Sequence, residues 1–287
     1  VGLEGFTFPE LDPFALLDLA AQTGYSHVGV RLIDPATNTP TLAPHEVRRF
    51  RLLAREHGLS LYGGDILDLG GPHESLDACL AVFAACGITR MGAFYREADL
   101  TAARGLFRAV VARGRAYGVT PYLEPVSYFG LGSVTAAAEL ITEAKGGGLL
   151  LDTLHFGRAG EDLTALAGIV HRIPVWLQVC DGPPLETIVP ATATAAERTA
   201  ALRRESVARR LPPGAGVCRV AEIVRTVREH APVPDLVPMV EAPDHERVTR
   251  IGVSAHASAC REAAVRLMPN PADTQEERTW TNPPPQP

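Results

Sequence analysis

Positive charge is not in excess in this sequence: 27 Lys and Arg stand against 33 Asp and Glu, a formal net charge of -6, with a pI near 5.9. A chain with that balance has no electrostatic footprint for a phosphate backbone or an anionic membrane surface, so neither nucleic acid nor membrane is expected as a partner. Long hydrophobic runs are missing too. No stretch approaches the ~20 apolar residues that span a bilayer, and the opening VGLEGFTFPELD lacks the basic and apolar regions of a signal peptide. A cytoplasmic enzyme is the expectation. Cysteine is scarce: Cys79, Cys86, Cys180, Cys218 and Cys260 are odd in number and show no C-x-x-C spacing, which predicts buried free thiols. Cys79 and Cys86 would lie two helical turns apart, roughly 10 Å, too far for a disulfide. Neither G-x-G-x-x-G nor G-x-x-x-x-G-K-[ST] occurs, so the nucleotide-binding signatures are absent as well.

The sequence does have enough apolar residues, 46% of 287, to bury a large core. Apolar β-type runs alternate with helical patterns along the chain, an order that implies a parallel sheet covered by helices. Eight such units are legible, with strands expected at 3–8, 27–32, 59–67, 88–94, 119–124, 149–154, 175–181 and 236–241. Gly24, Gly58, Gly87 and Gly118 fall where the intervening helices need a left-handed stop. Eight units match an α/β (β/α)8 TIM barrel over residues 1–268 better than a doubly wound sheet. Residues 182–216 read as a long loop after strand seven with one helix in it, a place where such barrels carry function. The polar, proline-rich 269–287 reads as a disordered tail.

In a barrel of this kind the site lies where the strands end, so polar residues there matter most. Strand five ends in Glu124, strand six in Asp152 with His155 just beyond, strand seven in Gln178 and Asp181, and strand eight in Glu241. Each has a bland explanation, such as an arginine partner, a helix cap or a satisfied backbone group. Their joint placement is harder to explain that way. Carboxylates closing strands five, six and eight converge on one mouth, and a bound cation is the simplest way to offset three clustered negative charges. The set reads as an oxygen-rich site for one divalent metal, Mn²⁺ or Mg²⁺ before Co²⁺.

The ordered strand ends LEP, LDTLHFGRAG, LQVCDGPP and VEAP, the early AAQTGYSHVGVRL and the segment RRLPPGAG together resemble the xylose isomerase-like barrels called sugar phosphate isomerases/epimerases. That superfamily also contains tagatose 3-epimerase-like enzymes, 3-dehydroshikimate dehydratases and endonuclease IV. The resemblance implies that Glu124, Asp152 and Glu241 bind the metal and that His155 contacts substrate. The fourth ligand in similar sequences is most often a histidine three residues before an aspartate; Gln178 stands there, as in some of the dehydratases, and a glutamine carbonyl can still coordinate.

Glu124 and Glu241 close strands three steps apart around eight, so they approach a ligand from different sides, about 135° apart in an even barrel. That arrangement suits removing a proton from one face of a carbon and returning it to the other. The expected activity is therefore isomerisation or epimerisation of a sugar-like ketone through an ene-diolate, with Glu124 and Glu241 catalytic and a small polyhydroxylated carbonyl compound as substrate. Dehydration of a cyclic β-hydroxy ketone such as 3-dehydroshikimate uses the same residues. A non-catalytic or partner-dependent barrel with a weakened metal site is the reading from another class. Endonuclease activity is disfavoured by the acidic chain. Arg31, Arg158 and Arg210 are expected to read the substrate, with Tyr62 and Asp65 lining its pocket, against the ordinary alternatives of surface charge and packing. A homo-oligomer is compatible with the sequence.

Overall fold

The structure, a computed structural model, describes residues 1–232 and 236–268. Eight parallel strands close into a barrel: β1 Gly2–Glu4, β2 His27–Arg31, β3 Ser60–Asp68, β4 Arg90–Phe94, β5 Thr120–Glu124, β6 Gly148–Asp152, β7 Val175–Val179 and β8 Met239–Val240. Helices α1 Pro13–Gln22, α2 Val47–Glu56, α3 Leu76–Cys86, α4 Leu100–Tyr117 and α5 Val134–Ala144 follow the first five strands. The later connections each carry two helices in the case of α6 Thr153–Ala159 with α7 Leu163–Val170, α8 Ala195–Ala208 with α9 Val220–His230, and α10 His245–Ile251 with α11 Val253–Arg266. The (β/α)8 expectation holds. The expected tail, 269–287, lies outside the described residues.

The local chemistry explains these elements. Strands GLLLD and VWLQV are buried at every position because barrel interior and helices cover both of their faces. Asp12 caps α1 by accepting from Phe14 N at 2.8 Å and Ala15 N at 3.0 Å, with Pro13 preset in the first turn. Thr194 and Glu197 form a reciprocal capping box that starts α8. Gly87 and Gly118 stop α3 and α4 at φ 75° and 67°, a conformation that strains any residue with a Cβ.

Two strands are shorter than their apolar runs. After Glu4 the chain turns into a short 3-10 segment, Gly5–Thr7, and the Thr7 hydroxyl takes over the ladder, donating to Val240 O at 3.0 Å and accepting from Ala242 N at 3.2 Å. A side chain that bonds both ways across the sheet lets β1 and β8 end early. The 33–40 segment forms an antiparallel pair of Ile33–Asp34 with Thr39–Pro40. Its buried Asn38 accepts from Asp68 N and donates to Asp68 O and Pro72 O, fastening this loop to the end of β3.

The barrel interior is layered. Tyr62, Tyr122, Leu150, Trp176 and Met239 pack together across its lower end. Gly63 makes room for this plug, since a Cβ there would come within 2.4 Å of the Trp176 ring. Above it, at the C-terminal ends of the strands, sit the buried side chains of Glu4, Asp65, Glu124, Asp152, Gln178 and Glu241. All five cysteines are free and buried, as expected.

Candidate active site

A cavity of about 180 Å³ with an open mouth lies over this polar layer. Asp65, Glu124 and Glu241 reach it from below, and Arg210 projects into it from the segment after α8. Asp152 does two jobs. Its Oδ1 caps α6 by accepting from Leu154 N at 2.7 Å and His155 N at 3.2 Å, while its Oδ2 accepts from Arg210 Nη1 at 2.5 Å. The same Arg210 nitrogen lies 2.9 Å from Glu241 Oε2 and donates to Glu241 O at 3.1 Å. Arg210 Nε donates to Ser206 O and Nη2 to Ser206 Oγ. The guanidinium is only 2% exposed, so it is a fixed counter-charge between two carboxylates.

One guanidinium cannot neutralise the whole layer. Burial pushes the Glu124 carboxyl well above the usual carboxylate range, reinforced by the nearby negative charges of Glu241 and Asp152. Burial raises Glu241 to about 8 despite the opposing pull of Arg210, and raises Asp65 to about 7 against Arg31 and Arg210. Glu4 is also raised well above its ordinary value, first by burial and then by Asp65 and Glu241. Asp152 differs: burial pushes it up, but Arg210 and His155 outweigh that and hold it below the ordinary aspartate value. Burial lowers His155 to about 4, so its ring is neutral near pH 7 and can offer a lone pair.

The donor set fits a divalent cation. Glu124, Asp152 and His155 each offer one ligand atom, all within 4.8 Å of one another, and a cation there would relieve the crowding of negative charge. His155 was expected at the substrate; the structure sets it beside the first two expected ligands, with Nε2 3.9 Å from Glu124 Oε1 and Nδ1 3.1 Å from Ser127 Oγ. The other two expected ligands pair with each other, Gln178 Nε2 donating to Glu241 Oε1 at 3.0 Å. Gln178 Oε1 is buried with no hydrogen-bond partner, a free carbonyl oxygen at the end of β7. The single lysine of the chain, Lys145, ends α5 in a left-handed turn just before β6 begins, at the other end of that strand from Asp152, and among the described residues no amine lines the cavity for Schiff-base chemistry.

The remaining expectations divide. Arg31 and Asp65 are on the cavity wall. Arg158 is not; it is buried against Glu205, with Nε donating to Glu205 Oε2 at 2.8 Å and Nη2 to Pro183 O at 2.6 Å, so it ties α6 to α8 rather than reading a ligand. Tyr62 is also corrected. It begins β3 rather than ending it, and therefore belongs to the plug below the polar layer, under the Arg90 guanidinium. Asp181 organises the loop, accepting from Gly182 N, Gly216 N and Cys218 N. Sequence reasoning missed Glu4, Phe6, Arg96 and Arg203. Glu4 and Arg96 follow the strand-end rule and could have been found by it; Arg203 sits on a helix of the long loop, where nothing in the sequence marks it.

A family model described as a xylose isomerase-like TIM barrel matches residues 17–280. Among solved structures, a xylose isomerase domain protein from Alicyclobacillus acidocaldarius is 20% identical, with 93% of this chain and 96% of that one covered at a TM-score of 0.69. The IolI protein, solved with a bound zinc atom, is 14% identical with the same coverages and a TM-score of 0.72. The D-allulose 3-epimerase of a Methylomonas species, solved with D-allulose, is 13% identical, again covering 93% and 96%, at a TM-score of 0.63. No curated protein matches the sequence.

Proposed function

The chain belongs to the xylose isomerase-like TIM-barrel family, and from that premise we propose that it is a divalent-metal-dependent isomerase or epimerase of a sugar-like ketone. The observation that carries this reading is the buried group of Glu124, Asp152 and His155, closely spaced beneath an open cavity. These residues, joined by Gln178 and Glu241, would hold the ion. When bound, a divalent ion supplies Lewis acidity toward a carbonyl and its neighbouring hydroxyl.

The protein's own groups divide the remaining work. Glu241, at the end of β8 and facing the cavity, is the acid/base on one side of it. Glu124, on β5, faces the same space from another strand and returns the proton. An ene-diolate is the substrate intermediate that such a two-sided transfer passes through. Arg210 keeps Asp152 ionised and holds Glu241 in place. A second reading, elimination of water from a cyclic β-hydroxy ketone, is favoured by the aromatic wall of Phe6, Phe94 and Phe129, which suits a ring.

The test is incubation of the Mn²⁺-supplemented protein with ketoses, inososes and dehydroshikimate in D₂O. Deuterium entering the recovered substrate or its epimer, without new ultraviolet absorbance, supports the isomerase. A rise in conjugated or aromatic absorbance supports the lyase. Absence of both across the panel, with metal demonstrably bound, counts against either chemistry.

A further inference from the structure

The cavity is polarised from floor to rim. Its buried floor carries Asp65, Glu124 and Glu241, and its rim carries guanidinium groups from three separate elements: Arg31 at the end of β2, Arg96 just beyond β4, and Arg203 on α8. Arg210 also faces the cavity, but its hydrogens are committed to Asp152, Ser206 and Glu241. The rim groups are not so committed. Arg96 uses Nε on Asp68 at 2.7 Å and lays its guanidinium over the rings of Phe94 and Phe129, 4.6 and 5.0 Å from their centroids. Its two terminal nitrogens have no partner among the described residues. Arg31 lies 5.3 Å from the Phe6 centroid. The ion pairs at the cavity are Arg96 with Asp68 and Arg210 with Asp152 and Glu241; among the described residues Arg31 and Arg203 form none.

Between rim and floor the wall is apolar. Phe6, Ile66, Phe94, Val126 and Phe129 line it, with Phe94 and Phe129 stacked at 5.6 Å and 28°. A ligand hydroxyl turned toward those rings loses its water without gaining a hydrogen bond, which is costly. A ring face or hydrocarbon edge gains instead. At the rim, converging cations repel one another and gain from a shared anion. Planar guanidinium forks match a carboxylate's two oxygens, and rings beneath two of them exclude water from one side of the contact. A lone surface arginine means little; here three from different elements surround one cavity mouth, and two of them rest on its aromatic wall.

We propose that the site takes a small carboxylate whose body is a planar or apolar ring, its anionic end held at the rim by Arg31, Arg96 and Arg203, its carbonyl end directed to Glu124 and Glu241. This deepens the second reading above, the cyclic ketone, and rests on the proposed function only in assigning the floor as the reacting end. The anion chemistry is shared with phosphate esters, so the test separates the two.

Isothermal titration of the purified protein, with and without Mn²⁺, against benzoate, inorganic phosphate and D-fructose serves that purpose. Benzoate should bind at one site and weaken as salt rises. The double variant R31Q/R203Q should bind it at least about tenfold more weakly, the loss expected for removing charge-assisted hydrogen bonds. F129S should weaken benzoate while leaving phosphate as it was. Arg31 and Arg203 reach solvent, so circular dichroism should show both arginine variants folded, and single variants serve if the double one is not. D-fructose binding as tightly as benzoate, or a double variant that binds benzoate like the wild type, overturns the proposal. Phosphate binding more tightly than benzoate replaces the ring carboxylate with a phosphate ester. Because turnover is not the readout, a protein that binds benzoate yet exchanges no substrate proton sinks the proposed reaction while the acid class stands.

Discussion

Gln178 Nε2 donates to Glu241 Oε1 at 3.0 Å, which fixes the amide so that its carbonyl oxygen is left buried without a partner. An amide in that position offers a hard oxygen donor where an imidazole would offer nitrogen. Gln178→His should therefore move metal preference from Mn²⁺ or Mg²⁺ toward Zn²⁺ or Co²⁺. Competition titrations between ions on both proteins measure the shift, and unchanged selectivity places Gln178 outside the coordination sphere.

Glu124 is buried beside Asp152 and His155 yet anchors no helix cap and no arginine. Glu124→Gln should keep the fold while losing most of the stabilisation that added metal confers. For wild type that gain is about 2.7 kcal/mol at a hundredfold excess over Kd. Melting curves with and without Mn²⁺ report it directly. A variant that gains as much as wild type shows that the ion sits elsewhere.

Glu241→Gln should reduce solvent-proton exchange into substrate by a factor on the order of 10² or more. The replacement amide keeps the size of the carboxylate, but Gln178 Nε2 and Arg210 Nη1 are both donors and its single oxygen can accept from only one of them, so circular dichroism and a melting curve accompany the rate measurement. Exchange at near wild-type rate would point to a bound water or Asp65 as the base.

Asp65 titrates near 7 in the fold because it is buried, whereas an unfolded aspartate titrates near 3.9. Between those values the folded chain holds a proton that the unfolded chain has released, so this group's contribution is complete below the lower value and is lost as pH rises through 7. Asp65→Asn stays neutral throughout. Its melting temperature relative to wild type should rise between pH 5 and pH 8; a constant difference across that range contradicts the assignment.

Arg158 and Glu205 pair with 5% and 1% of their side chains exposed. Arg158→Ala leaves a buried carboxylate alone and should cost about 3–5 kcal/mol of stability. Because Arg158 touches nothing in the cavity, KM for the eventual substrate should stay within about twofold of wild type at a temperature where the variant is folded. A large rise in KM without loss of stability would restore it to the substrate.

The barrel and its strand ends were legible because burial on both faces writes parallel strands as apolar runs, so that Glu124, Asp152, Gln178 and Glu241 stood out as polar interruptions. What strand order could not reveal was where long side chains go after leaving the backbone. Arg158 and Arg210 flank equally plausible motifs, yet a carboxylate on α8 takes one and carboxylates on β6 and β8 take the other. Tyr62 was misplaced although its strand was read at nearly its true length: it stands near the start of the nine residues, and the start and end of so long a strand lie at opposite levels of the barrel. The early end of β1 was hidden for a related reason: it depends on one hydroxyl, that of Thr7, bonding to a strand more than two hundred residues away.

The packing of Trp176 against Tyr62 and Tyr122 below the polar layer has a kinetic meaning. Those rings fill the lower end of the barrel, so a product of the proposed reaction departs on the side of the strand ends, where its precursor arrived. Product and substrate then exclude each other from one compartment, and product inhibition should be competitive. If the arginines and phenylalanines at the mouth hold the ligand as proposed, substitutions there should alter the rate of leaving, and with it turnover, without touching a reacting atom.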